Sequence, residues 1–218
     1  PQRLENLGLQ GFASVTNEDA STALFARRYA RQYDVVITNP PFARWEATER
    51  EKDDFIREIL DSNDNSLRRL GLMHVMAVIA LACMKDSGKA AILIGGHFSY
   101  DPDGFPAKHR TFFNYIFRNY VVKDVVNMNS YKLYNKQGAI EPTMLILVDG
   151  RKPTPSGTAP RRRTEASMRF EQIVNSFEEL YARVKEAKLG DWQRTEDEQY
   201  LNYAIAQMEI ELTAYNTL

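Results

Sequence analysis

Apolar residues in this chain fall into short continuous runs separated by longer stretches of helical spacing, an alternation that predicts an α/β fold. The purest run is Val35-Val36-Ile37-Thr38, mostly apolar and β-branched throughout, which predicts a strand buried on both faces as in a parallel sheet. It stops at Asn39-Pro40-Pro41-Phe42. Two prolines fix φ and remove two backbone donors, so no regular element continues through them. Lys89 to Ile94 predicts a second buried strand ending in Gly95-Gly96. Tyr120 to Val126 and Pro142 to Val148 predict two more, and the Asn127 to Glu141 connection lacks a helical pattern and suits an antiparallel hairpin.

Between the strands, helical spacing predicts helices over Thr22 to Gln32, Ala43 to Leu60, Leu67 to Lys85 and Ala107 to Arg118. The third is apolar nearly all round from Leu72 to Met84 and is halted by Asp86-Ser87-Gly88, so it should pack on the sheet. A helix followed by the next strand makes that strand parallel to its predecessor, which brings Asn39 and the Gly95-Gly96 loop to one edge. At the start, Pro1 to Leu9 reads as a helix end and Gly11 to Thr16 as a short strand leading to Asn17-Glu18-Asp19. At the other end, Phe170 to Lys188 and Glu196 to Leu212 look amphipathic, a helical pair after the Pro- and Gly-rich stretch Gly150 to Ala159.

Composition narrows this little. At 218 residues and 44% hydrophobic content the chain can bury one good core. Lys+Arg 28 against Asp+Glu 29 leaves a formal net charge of −1, so any nucleic-acid surface must be a local one. The single cysteine, Cys83, excludes disulfides within the chain and cysteine-rich zinc sites, and its apolar run marks it as structural. His74 reads as a core residue, with no second ligand at metal spacing. The apolar run Leu72 to Met84 is too short for a bilayer and no signal peptide precedes it, so the expected setting is cytoplasmic, with no membrane partner.

The chemistry that Asn39-Pro40-Pro41-Phe42 suits is methyl transfer to a planar exocyclic amine, whose lone pair is delocalised and weakly nucleophilic. The Asn39 side-chain oxygen and the Pro40 carbonyl, held rigid by Pro41, would accept the two amine hydrogens and localise that pair. Phe42 would stack on a flipped-out base. The stretch resembles motif IV of the S-adenosylmethionine-dependent amino-methyltransferases, and the order of elements is most like N6-adenine DNA methyltransferases of restriction-modification type. The resemblance covers roughly residues 10 to 150.

That resemblance implies a partial Rossmann-like methyltransferase sheet, mostly parallel with a terminal antiparallel hairpin, plus a C-terminal helical tail. The implied division is a partial catalytic domain over residues 1–149, a Pro/Gly/Arg-rich linker over 150–163 and a helical tail over 164–218. It implies Asn39, Pro40, Pro41 and Phe42 as catalytic, S-adenosylmethionine as cofactor, and Asp19, with Asn39, on the cofactor side. On residues alone, Asp19 or Ser21 serves equally well as a helix N-cap. The long aromatic loop from Gly95 to Pro106 would wall the target pocket, with Phe105 as the second aromatic and Phe98 in reserve. Gly-Gly stands there where the family commonly has a proline. Lys108 and Arg110, opening the next helix, are candidate phosphate contacts, as is the run Arg161-Arg162-Arg163.

The family's Gly-rich motif is not recognisable upstream of Asp19, so the chain reads as a piece whose missing N-terminal half belongs to the same polypeptide. A faint likeness to long methylase-helicase polypeptides implies a helicase or specificity module in the parent. Such a piece is expected to bind S-adenosylmethionine poorly by itself. Partner and substrate are therefore DNA with its target base flipped out, against three alternatives: an RNA guanine-N2 methyltransferase, a protein glutamine methyltransferase, and a non-catalytic binding module.

Overall fold

The structure, a computed structural model, describes residues 16–62, 64–134 and 141–189. The helix end over residues 1–9, the strand expected over 11–16 apart from its last residue, and the helix over 196–212 lie outside the described residues. Asp19 to Leu189 make one compact unit.

In chain order the elements are α1 (Ala23–Arg28), β1 (Tyr33–Thr38), α2 (Glu49–Glu58), a tight helical turn (Asn65–Arg69) and α3 (Leu72–Cys83). Then come β2 (Met84–Gly95), α4 (Arg110–Asn119), β3 (Tyr120–Met128), α5 (Ser130–Tyr134) and β4 (Thr143–Arg151). The last are α6 (Glu165–Arg169), β5 (Ile173–Val174) and α7 (Phe177–Glu186). The sheet order is β1-β2-β4-β3-β5. β1 runs parallel to β2 and β3 to β5, while β4 is antiparallel to both of its neighbours, so four strands share one direction and β4 alone opposes them. The α/β fold with a mostly parallel sheet and an antiparallel hairpin is thus as expected, and the returning hairpin strand inserts between β2 and β3.

That insertion puts β4 at the centre of the core. Ile146 faces Ile92 on one side and Val125 on the other, and all three are fully buried. Residues of β2, β4 and α3 form the main apolar cluster with Phe112, Phe113 and Ile116 of α4, while Val126, Met128, Leu133 and Val174 fill a smaller one. Alternate strand residues facing opposite sides explain how one sheet serves two clusters.

β1 departs from expectation. The run predicts burial on both faces, yet Ile37 is 81% exposed, and Tyr33 and Val35 are also exposed. The four-residue β-branched run correctly marks a strand, but burial depends on what flanks it, and among the described residues β1 has a strand neighbour on one side only. Val36 alone turns into the core cluster.

Element boundaries also moved. α3 is shorter than the expected Leu67 to Lys85, because Leu70 is extended before Gly71 caps the helix and Met84 switches to extended backbone. β2 opens through Lys85 to Gly88 with a register slip against β1, and a Cβ on Gly88 would lie 2.5 Å from Met84 Cγ, which only glycine avoids. The Phe170 to Lys188 segment is divided: Ser176 caps α7, its side chain accepting from Glu179 N, and the chain before it spends two residues as β5. The connection expected to lack helix contains α5.

The segment after β4 is tied down despite its prolines and glycines. Lys152 Nζ donates to the Phe117 carbonyl at 2.6 Å, and Ala159, buried, donates its N–H to Asn114 Oδ1 at 3.2 Å. Further on, Arg183 of α7 is buried and clamps Asp124 of β3 with two hydrogen bonds of 2.9 and 2.7 Å.

Candidate active site

The last paired residues of β1 and β2 are Thr38 and Ile92, and Asn39 follows one step past that register. Asn39 is exposed, Pro40 buried and Pro41 exposed. Among the described residues neither the Asn39 carboxamide nor the Pro40 carbonyl takes a hydrogen bond, whereas the Pro41 carbonyl accepts Ala43 N–H at 3.0 Å and closes a tight turn around Phe42. The Phe42 ring is 51% exposed and rests on the end of β2. A Cβ on Gly95 would come within 3.2 Å of Phe42 Cδ1, so the bare glycine backbone is the seat of the ring. Two free acceptors beside a half-open aromatic face are thus assembled at the sheet edge by adjacent strands.

Beyond Gly95 the chain turns at Gly96, whose φ of 93° suits glycine and whose N–H donates to the Pro142 carbonyl at 2.7 Å. Phe98, expected as a reserve pocket wall, is instead core. Asn127 grips its backbone from both sides, at 2.7 and 2.8 Å, and its ring packs edge-on against Tyr100, Phe113 and Phe170. A side chain so enclosed offers no face to a substrate.

The remainder of the loop is a small hairpin: Tyr100 bridges Pro106, and Ala107 N–H donates to the Ser99 carbonyl at 2.8 Å. Phe105, the expected second aromatic, does not present an open ring. The guanidinium of Arg161 lies 3.9 Å from its ring centroid and that of Arg110 lies 4.6 Å away. Arg110 also pairs with Asp101 at 2.5 Å, and Lys108 is exposed beside it.

Asp19 sits at the approach to α1. Its Oδ1 accepts Ser21 N–H at 2.8 Å and Ser21 Oγ–H at 2.6 Å, and these bonds hold its carboxyl below the usual carboxylate range. The N-cap is neither Asp19 nor Ser21 but Thr22, whose Oγ1 accepts Phe25 N–H. That leaves Asp19 lining a groove of about 300 Å³ with Trp45, Glu46 and Phe55. Trp45 lies three residues beyond Phe42, so the segment leaving the Pro-Pro turn reaches the Asp19 groove.

Two contributors, Gly95 and Trp45, had weak signals in the sequence. Gly95 was legible only as half of an unusual Gly-Gly pair at a strand end. Trp45 falls within the helix that the spacing predicts over Ala43 to Leu60, yet it precedes α2, which starts at Glu49. His74 and His109 meet beneath the loop with ring centroids 4.8 Å apart. His74 Nδ1 accepts Gly71 N–H at 3.2 Å, and burial pulls its pKa down to about 3, so it is neutral. Burial likewise pushes the Cys83 thiol up to about 11, consistent with a structural cysteine. Among the described residues no cluster of three or more metal-ligating side chains exists, and no helix is long and apolar enough to cross a membrane.

A family model described as N-6 DNA methylase matches residues 9–216. The chain belongs to the N-6 DNA methylase family. No curated protein matches it. The match runs past β4 through the Arg161–Arg163 run and α7, so these elements fall inside the family region. Membership makes the protein of methyltransferase type with DNA methylation as the family reaction, and an N-6 methylase acts on an exocyclic amine, a group with two hydrogens to donate. The acceptors at Asn39 and Pro40 are of the matching kind.

Proposed function

We propose that the protein transfers a methyl group from S-adenosylmethionine to the N6 amine of adenine in DNA, with the target base flipped onto Phe42. The observation that carries this reading is the lip itself: an exposed carboxamide and a carbonyl without hydrogen-bond partners among the described residues, next to a half-exposed ring seated on Gly95. Asn39 Oδ1 and the Pro40 carbonyl accept one amine hydrogen each, which draws the nitrogen's lone pair out of the ring system and towards the incoming methyl group. Pro41 keeps the preceding carbonyl from rotating away, and Phe42 holds the base in plane. The nitrogen needs no general base at the outset. Its surplus proton becomes acidic only as the new N–C bond forms, and then leaves to water at this exposed edge.

The residues at hand fit the cofactor on one side. Asp19 spends Oδ1 on Ser21 and keeps Oδ2 free of partners among the described residues, so it stays ionised near neutral pH and has an acceptor left for an adenine amine. Trp45 lines the same groove and suits a flat heterocycle. Bound S-adenosylmethionine supplies an electrophilic methyl group on sulfonium. Asp19 would hold its adenine, and Asn39 would lie between cofactor and target.

Radiolabelled methyl transfer to duplex DNA, to RNA and to protein separates this function from guanine-N2 and glutamine methylation. Label is expected in DNA adenine. Replacement Asn39→Ala should lower turnover by about 10²–10³-fold, the loss typical of one preorganised polar group at a reacting centre. Near-wild-type turnover in that variant would remove Asn39 from the mechanism, and label in RNA or protein alone would overturn the substrate.

A further inference from the structure

We infer that the loop after β2 and the arginine run after β4 together form one phosphate-binding surface, the track along which this protein holds the DNA backbone beside its target base. This deepens the DNA reading above and rests on it. The two segments are over fifty residues apart in sequence, yet they are joined by specific contacts. Arg162 N–H donates to the Gly104 carbonyl at 2.9 Å, and Gly104, at φ 79°, would bring a Cβ within 3.6 Å of Arg162 Cβ. Arg161 and Arg110 both lie over Phe105. Tyr100 Oη–H donates to the Ser167 carbonyl at 3.1 Å and Tyr100 N–H donates to Glu171 at 3.2 Å, which anchors the loop's base to the segment carrying the arginines.

Charge gives the junction its meaning. Lys108, Arg110, Arg161, Arg162 and Arg163 gather there, all exposed. Asp101 neutralises Arg110 and Glu171 neutralises Arg162, while Lys108, Arg161 and Arg163 have no carboxylate partner among the described residues. With Asp101 taken up by Arg110, the positive charge of Arg161 on the same ring and of Lys108 and Arg163 beside it is offset by no carboxylate among the described residues, and a polyanion supplies that counter-charge at every nucleotide. Phe105 is then a positioning residue. Its ring stacks the Arg161 and Arg110 guanidinium groups and aims them, rather than meeting the base. In a chain with a formal net charge of −1, a local concentration of this kind is also the form a nucleic-acid surface must take.

The test is the salt dependence of binding to a fluorescent duplex oligonucleotide of about two helical turns, measured by anisotropy over a series of NaCl concentrations. Each lost phosphate contact should reduce the slope of log K against log salt by about 0.9. The double variant Arg161→Ala with Arg163→Ala should therefore lower the slope by nearly two and weaken binding several-fold at moderate salt. Phe105→Leu, which keeps the apolar volume but not the ring, should give a smaller drop in affinity with all charges present. Equal slopes for wild type and the double variant overturn the surface, and so does a wild type that retains an RNA duplex but not DNA. Methyl transfer by the wild type is scored separately. A protein that binds DNA with the expected slopes but transfers no methyl group fails the catalytic reading alone, and one that methylates DNA with unchanged slopes in the variant fails the surface alone.

Discussion

The two ends of the sheet are built on opposite principles. At the β1 end, Ile37, Val35 and Tyr33 stand exposed, and the Asn39 and Pro40 acceptors have no partner among the described residues. At the β3 end, a buried arginine on α7 grips a buried aspartate, an asparagine side chain clamps the Phe98 backbone, and β4 is enclosed by strands on both sides. Polar groups at the second end satisfy one another. Those at the first are left for something else, and a reacting amine is the kind of group that needs them. On the proposed function, stability and chemistry are segregated along the sheet, so that substitutions at one end should register in unfolding experiments and at the other in turnover.

The largest effect on unfolding is expected from Arg183→Ala. It strands the Asp124 carboxylate in the interior, with Arg169 3.9 Å away as the nearest other cation, and should cost about 3–5 kcal/mol in a denaturant titration. A cost below about 1 kcal/mol would mean that α7 is not bound by this pair. Next comes a matched comparison of one substitution at two places. Ile146→Ala, fully buried, should cost about 2–5 kcal/mol, whereas Ile37→Ala at the exposed edge should stay within about 0.5 kcal/mol. Equal values would erase the contrast between the two ends.

An effect that is smaller per pH unit but accumulates is expected on lowering the pH. His74 in the folded protein titrates at about 3, below its ordinary 6.5, because burial disfavours the imidazolium. Between those values the unfolded chain takes up a proton that the folded one refuses, so stability is lost as pH falls from 6.5 towards 3, by up to about 1.4 kcal/mol per pH unit from this group. Thermal unfolding of wild type and His74→Gln across this range checks it: the variant should lose the part of the slope due to the imidazole. The finest distinction concerns Gly95→Ala. The added methyl meets a half-exposed ring that is free to shift, so stability should change by less than about 0.5 kcal/mol. Turnover should nonetheless fall by about tenfold as Phe42 leaves its seat, since displacements on the order of 1 Å cost up to about 10²-fold.

Much of this fold was legible because its cues are local. A β-branched run stopped by two prolines marks β1 and its end wherever it is placed, and the apolar helix before β2 implies a parallel neighbour. The three-state order of the central elements and the arrival of Asn39 and Gly95 at the same edge followed from those cues. Other features were illegible because they depend on partners distant in sequence. The aromatics at Phe98 and Phe105 look alike in the chain. One is taken into the core by Asn127, twenty-nine residues on, and the other is covered by an arginine from the far side of β4. The short α5 and the division between α6 and α7 escaped because pieces of about five residues carry less than two turns of periodicity.

By itself, then, the sequence determined the strand end at Asn39-Pro40-Pro41-Phe42 and the order of strands and helices around it, since both are set by the backbone preferences of neighbouring residues. Only the tertiary structure decided that β1 has a strand neighbour on one side only among the described residues, that Phe42 is seated on a glycine of the next strand, and that the Arg161–Arg163 run belongs to the loop beside it. Those outcomes rest on contacts between segments tens of residues apart, which form only after the chain has packed and which no local pattern records.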